Sequence, residues 1–397
     1  MEKDNQNELL TRGVSAIYPS KEFLASKIAK GEKLAIYLGI DPTGPTLHLG
    51  HAITIKKLAE FQKTGHKVIL LMGDFTAMIG DPDKLSVRVP LTRKQVLSNL
   101  KNYKKQASKL LSFTGKNPAK IMFNSKWLGK MNFAEVLNLA SKMTVSQMLE
   151  RDMFKKRKEE DKSIFIHEFM YPLMQGYDSV AMNIDGEIGG NDQTFNMLVG
   201  RDLMKVMRNK EKFVLTMKLL EDNGGKKMGK TENNMVSLSD NEEEMYGKIM
   251  SWNDSLIISG FELCTNVPML EIEKIATLLA EGINPRDLKM RLAREITAIY
   301  HGEKKAKAAE EKFINTFQKN EIPNDIENIK VKGNTLLVDA LLSKKIISSK
   351  SDYRRLVDER AITNLNTNQK VSSYAETASG GVYRIGKKRF CKIILEN

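Results

Sequence analysis

The run Tyr37-Leu-Gly-Ile-Asp-Pro-Thr-Gly-Pro-Thr-Leu-His-Leu-Gly-His51 closes an apolar stretch and passes through a turn rich in proline and glycine. It puts two imidazoles three residues apart, where the spacing predicts the first turn of a helix. Free backbone N–H groups and the helix dipole at such a turn favour an anion, and side chains at i and i+3 share a face. Gly50 carries no side chain, so an adenine ring or a phosphate can approach closely. On its own, His-x-x-His also fits a metal pair or two ordinary helix residues. The Asp-Pro-Thr-Gly-Pro-Thr turn in front of it favours nucleotide chemistry. A second motif, Lys226-Lys-Met-Gly-Lys-Thr231, lies in the glycine- and lysine-rich stretch DNGGKKMGKTENN. Lys227 and Lys230 are three residues apart on a candidate closing loop, and suit charge that develops on a triphosphate as it reacts. Alone, this motif also fits a solvated charge run. Its spacing is not that of a Walker A loop, and no strand feeds directly into it.

Both motifs need a scaffold. Four short apolar runs, Lys33–Ile40, Lys67–Gly73, Lys120–Asn124 and Lys212–Met217, have the length and punctuation of buried strands. The segment Leu49–Lys63 has helical spacing and stops at Thr64-Gly65, and Lys94–Leu111 reads as one basic amphipathic helix. Strand and helix alternating in this way predict an α/β fold, a Rossmann-like parallel sheet with helices on both faces. Ligands of such sheets bind beyond the carboxyl ends of the strands, where the unusual residues fall. After the lysine motif the pattern is helical from about Asn241 to Gln318. Lys319–Asn334 looks like a polar linker, and the tail offers a helix in SKSDYRRLVDER and strands in VYRIGKKRFCKIIL. The expected division is a catalytic domain at 1–222, a signature loop at 223–235, an α-helical domain at 236–325, a linker at 326–334 and a small α+β module at 335–397.

Composition narrows the class. The chain has 397 residues, enough for more than one core. Two cysteines, Cys264 and Cys391, leave no disulfide framework and no cysteine-based zinc site. No apolar run has the length of a membrane span. MEKDNQNELL has neither a basic nor an apolar leader region, so the expected location is cytoplasmic with no membrane partner. The net charge of +14 is concentrated. Leu91–Lys130 holds ten basic residues and no acidic one, and Thr335–Asn397 holds twelve basic against six acidic. Two separate basic zones fit a polyanion touched in two places, nucleic acid above all, or a lysine-rich surface that serves solubility.

The two motifs together resemble those of class I aminoacyl-tRNA synthetases, and the residues between them resemble the tyrosyl-tRNA synthetase family. Tyr171-Pro-Leu-Met-Gln175-Gly-Tyr-Asp178 is similar to that family's tyrosine-recognition helix. Tyr37 stands where the family keeps a phenol-sensing tyrosine. Asn124-Ser-Lys-Trp127, Ile79-Gly-Asp81-Pro and Gly189-Gly-Asn-Asp192-Gln193 complete an ordered set. The sequence departs from the family at Gly229 and Thr231, where the generic loop has serines, and after Gln193, where it reads Thr-Phe-Asn. The tail resembles an S4-type RNA-binding domain.

The resemblance implies a tyrosine–tRNA ligase that joins tyrosine to ATP as an adenylate and passes it to the 3′-terminal ribose of tRNA(Tyr). It implies that Thr43, His48, Lys227, Lys230 and Thr231 hold the phosphates and that His51 lies under the adenine. Gly39 and Asp41 line the junction between nucleotide and amino acid, and Asp192 binds the ribose. Asp81, Tyr171 and Gln175 take the ammonium group of tyrosine, Tyr37 and Asp178 its phenol OH, and Gln193 completes the tyrosine pocket. Mg2+ accompanies ATP, with no dedicated metal cage. A homodimer pairing through residues of about 124–165 is implied, with Lys155–Lys158 and the basic tail on the tRNA. Two other readings stay open: a synthetase-like RNA-binding protein without aminoacylation activity, and a class I synthetase for another aromatic amino acid.

Overall fold

The computed structural model describes residues 8–82, 90–221, 235–317, 326–367, 369–386 and 389–396. By internal packing the chain divides into two units, Met1–Ala306 and Lys307–Asn397.

The first unit is built on a six-stranded sheet. Its strands are β1 (Val14–Tyr18), β2 (Ala35–Ile40), β3 (Lys67–Met72), β4 (Lys120–Phe123), β5 (Gly186–Gly190) and β6 (Phe213–Met217). They lie in the order β1-β6-β5-β2-β3-β4. All neighbours are parallel except β1, which runs antiparallel to β6. β6 is buried at every position, as a strand covered on both faces must be. Successive strands β2, β3 and β4 step outward in one direction, whereas β5 and β6 lie on the other side of β2. The order therefore reverses between β2 and β5, and such a reversal opens a crevice at the carboxyl ends of the two strands.

Two strands of this sheet escaped the sequence reading. β1 is short and mixed in polarity. β5 has three glycines in five residues, so it presents no apolar run. Gly186 is obligatory there, because a Cβ would stand 2.0 Å from the Phe213 ring. The expected single helix at Lys94–Leu111 is two, Arg93–Leu100 and Tyr103–Ala107. The break lets their polar side chains brace the proline–glycine turn. Asn99 Nδ2 donates to the Pro42 carbonyl (2.8 Å), Tyr103 Oη to that of Gly44 (2.6 Å), and Gln106 Oε1 accepts from Leu47 N (2.7 Å).

The helical stretch spans Glu242–Met250, Leu256–Cys264, Met269–Ala280, Pro285–His301 and Glu303–Phe317. Up to Ala306 it belongs to the first unit. Arg12 fastens it to the sheet by donating to the carbonyls of Phe261, Glu262, Thr265 and Val267.

The second unit carries a five-stranded sheet of β7 (Glu327–Lys332), β8 (Ile362–Asn364), β9 (Gln369–Lys370), β10 (Gly381–Ile385) and β11 (Arg389–Glu396), in the order β7-β11-β10-β8-β9. Helices Leu337–Ser343 and Lys350–Asp358 pack Leu341, Tyr353 and Leu356 into a core with Ile385, Cys391 and Ile393. β7 corrects the linker expected at 326–334. Its residues pair in parallel with β11 and bury Ile329 and Val331, while Glu327, Asn328, Lys330 and Lys332 face outward.

Candidate active site

The crevice between β2 and β5 gathers most of the residues expected to act. Tyr37 lies on β2 with no exposed surface. Gly39, two residues on, is exposed and leaves this face of the strand open. Asp41 follows the strand end, and its carboxylate accepts from Thr76 Oγ1 (2.7 Å) and Tyr171 Oη (2.8 Å). Gly73 makes that approach possible, since a Cβ there would stand 1.9 Å from Asp41 Oδ1. Thr43 is exposed on the turn, with its N–H on the Asp41 carbonyl (2.8 Å).

His48 caps the helix Leu49–Lys63 and His51 sits in its first turn, as the spacing predicts. The two rings lie 3.9 Å apart between centroids. His51 Nδ1 accepts from the His48 backbone N–H (3.2 Å), which places the His51 proton on Nε2. Residues 222–234, with Lys227, Lys230 and Thr231, lie outside the described residues, as do Lys84 and Arg88. The chain re-enters beside the histidines. Leu49 N donates to the Val236 carbonyl (3.0 Å) and Leu238 N to that of Leu47 (2.9 Å), so Val236–Leu238 runs antiparallel against the His48 segment.

The helix Ile166–Met182 supplies Tyr171, Gln175 and Asp178 from one face. Asp178 is buried and accepts from Trp127 Nε1 (2.7 Å) and Asn124 Nδ2 (3.2 Å). Burial pushes its carboxyl well above the usual range, and these two donors oppose the shift. The phenols of Tyr37 and Tyr171 are likewise raised well above normal, first by burial and then by neighbouring carboxylates, so both remain protonated donors.

The three residues expected at the ammonium group hydrogen-bond to different partners. Tyr171 turns to Asp41, and Gln175 Nε2 donates to Glu187 on β5 (3.2 Å). Asp81 accepts from Arg151 Nη2 (2.5 Å) and Gln193 Nε2 (2.8 Å), with Asn196 Nδ2 at 3.4 Å. Asp192 is exposed on the short 3-10 turn after β5.

Sequence reasoning missed Arg151, Glu187 and Lys212. Charged residues default to solvent, and no local pattern marks the few that do not. It also assigned one basic residue wrongly. Arg157, grouped with Lys155–Lys158 as a tRNA contact, is buried and donates twice to Glu168 (2.7 and 2.9 Å). Lys109, in the acid-free stretch, is exposed and also donates to the Leu238 carbonyl (2.9 Å).

The family model for class I tRNA synthetases of the tryptophan and tyrosine type matches residues 29–318. The chain belongs to this family. Among the relatives of this synthetase, the tyrosine–tRNA ligase of Shewanella oneidensis is 45% identical over 395 residues, covering 97% of each chain. That of Thermotoga maritima is 43% identical over 397 residues, covering 99% of the synthetase and 98% of the relative. Two solved structures share its fold. A C-terminally truncated mitochondrial tyrosyl-tRNA synthetase of Aspergillus nidulans superposes with TM-score 0.67 at 23% identity, covering 79% of this chain and 94% of that one. The tyrosyl-tRNA synthetase of Archaeoglobus fulgidus complexed with L-tyrosine gives 0.62 at 22%, covering 78% and 99%.

Proposed function

We propose that this synthetase, a tyrosine–tRNA ligase, activates tyrosine in the β2–β5 crevice and transfers it to tRNA(Tyr). One observation carries the reading: Tyr37, buried on the strand whose end leads to His48 and His51, lies close enough to the buried Asp178 for the aspartate's charge to act on it. A phenol sensor and a nucleotide turn thus share one crevice.

The substrate carboxylate attacks the α-phosphorus of ATP. A carboxylate oxygen–phosphorus bond forms, the α–β bridge breaks, and pyrophosphate leaves with both bridge electrons. No enzyme nucleophile is required, so rate enhancement comes from position and charge. Thr43, His48, Lys227, Lys230 and Thr231 hold the phosphates, and His51 supports the adenine. Gly39 and Asp41 line the junction, and Asp192 accepts from the ribose hydroxyls. Asp81, Tyr171, Gln175 and Gln193 surround the amino-acid end, with Arg151 holding Asp81. Mg2+ enters with the triphosphate. Among the described residues no group of three histidines, cysteines or carboxylates is placed to hold a metal.

The ligase reaction is tested by charging a tRNA(Tyr) transcript with labelled tyrosine. Label that becomes acid-precipitable and is released by mild base supports the reading. Adenylate formation with no charged tRNA contradicts it. Removing the second sheet and its two helices should impair charging and spare adenylate formation. The cut belongs after Phe317 rather than Asn334, because β7 is part of the second sheet. Loss of both steps together would make that unit structural. No helix among the described residues is long and apolar enough to cross a membrane.

A homodimer is supported by apolar surface at 124–166. Phe133 and Leu137, at i and i+4 on one helix, are 76% and 54% exposed, and Val145 and Ile166 are 64% and 82% exposed. Apolar side chains in this number on one segment fit a covered face. Phe133→Asp with Leu137→Asp is expected to halve the sedimenting mass. A species of unchanged mass would exclude this face as the seam.

A further inference from the structure

Behind the phenol end of the crevice lies a set of buried polar groups with no role in the steps above. Lys212, which leads into β6, is fully buried. An ammonium has three N–H donors and no acceptor, and each donor is matched. Lys212 Nζ donates to the Glu187 carboxylate, to Ser179 Oγ at 2.7 Å and to the Met197 carbonyl at 3.3 Å. Gly200 makes the space, because a Cβ there would stand 2.6 Å from Nζ and 3.0 Å from Ser179 Oγ. Glu187 takes Lys212 on one oxygen and Gln175 Nε2 on the other. Ser179 Oγ lies 3.1 Å from Tyr37 Oη.

Packing alone does not call for a lysine here. A buried ion pair costs desolvation, and apolar side chains of equal volume often stabilise as well or better. What lysine adds is direction. It only donates, so it fixes Ser179 Oγ as its acceptor and leaves the serine O–H to donate to Tyr37 Oη. Glu187 takes Lys212 and Gln175 on its two oxygens, and its charge and a side-chain hydrogen bond also act on Tyr37. Two donors, one of them cationic, weaken Glu187 as an acceptor for the Tyr37 proton and leave that proton available to a stronger acceptor in the crevice. Asp178, already accepting from Trp127 and Asn124, offers its remaining lone pairs as an acceptor. A phenol OH placed between the two would receive from Tyr37 and give to Asp178.

We propose that Lys212 and Ser179 are positioning residues that orient the hydrogen-bond chain toward Tyr37, so that Tyr37 presents a donor to the substrate's phenol oxygen. The proposal rests on Tyr37 and Asp178 being the phenol-sensing pair. It adds that their selectivity is set from behind by two residues that do not touch substrate.

The test is amino-acid-dependent ATP–pyrophosphate exchange with tyrosine and with phenylalanine, on the full chain. Ser179→Ala is expected to lower kcat/KM for tyrosine about tenfold, the size of one buried hydrogen bond, mostly through KM. Phenylalanine, which has no OH to satisfy, should lose nothing, so the ratio between the two narrows by the same factor. Lys212→Met combined with Glu187→Gln, which leaves no unpaired charge, should narrow the ratio similarly. Adding Ser179→Ala to it should narrow it no further, because both changes cut one chain. Equal losses for both amino acids, or an unchanged ratio, would overturn the proposal. Tyr37→Phe, measured alongside, separates the two levels. If it narrows the ratio while Ser179→Ala does not, only the relay fails. If it leaves the ratio unchanged, the phenol reading itself fails.

Discussion

Replacing Asp178 with alanine will collapse the preference for tyrosine over phenylalanine in adenylate formation. The carboxylate is buried and held by Trp127 Nε1 and Asn124 Nδ2, so its orientation is fixed before substrate arrives. A site built to hydrogen-bond a hydroxyl leaves its own polar groups unpaired when an analogue without one enters, and this enzyme family is the standard example of that effect. Without Asp178, tyrosine loses its acceptor while phenylalanine loses nothing. Leaving a buried polar group without its partner costs about 1–3 kcal/mol, so the ratio of kcat/KM values should fall by about five- to a hundredfold. The fall should lie in the tyrosine value. Asp178→Asn keeps the shape and one acceptor, and should fall less. Initial rates of pyrophosphate exchange with each amino acid give both numbers. A ratio that stays at its original value would remove Asp178 from recognition.

The second large effect concerns the phosphates. Lys230→Ala should lower kcat for tyrosine activation by about a hundredfold, the usual loss when one preorganised donor to developing charge is removed. KM for tyrosine should remain nearly constant, because the amino-acid end of the crevice is built from β2, β5 and the Ile166–Met182 helix. That pattern belongs to an interaction made chiefly in the transition state. Weak tyrosine binding with normal turnover would contradict the assignment. Lys230 lies outside the described residues. The described chain returns at Val236–Leu238 against the His48 segment.

What could be read from the sequence was local. The turn from Tyr37 to His51 is contiguous, and its strand, turn and helix start each have their own signal. The face of Tyr171, Gln175 and Asp178 follows from helical spacing. The long-range partners had no such signal. Glu187 and Lys212 look like surface residues in the chain and become buried partners only when β5 and β6 pair. Arg151 and Arg157 sit in a charged run that hides one contact to Asp81 and another to Glu168. β5 was invisible because its glycines exist to admit Phe213 and Met197 side chains, and β7 because only Ile329 and Val331 face a core. Family resemblance supplied the order of the motifs, but not the hydrogen bonds that separate Asp81, Tyr171 and Gln175 into different contacts.

The most direct test is ATP–pyrophosphate exchange with each of the twenty amino acids in turn, using the full chain with Mg2+. Tyrosine alone should raise exchange far above background, with phenylalanine orders of magnitude lower. Exchange driven best by tryptophan or another amino acid, or background rates at saturating tyrosine, would contradict the claim that the crevice between β2 and β5 selects a phenol and activates it on ATP.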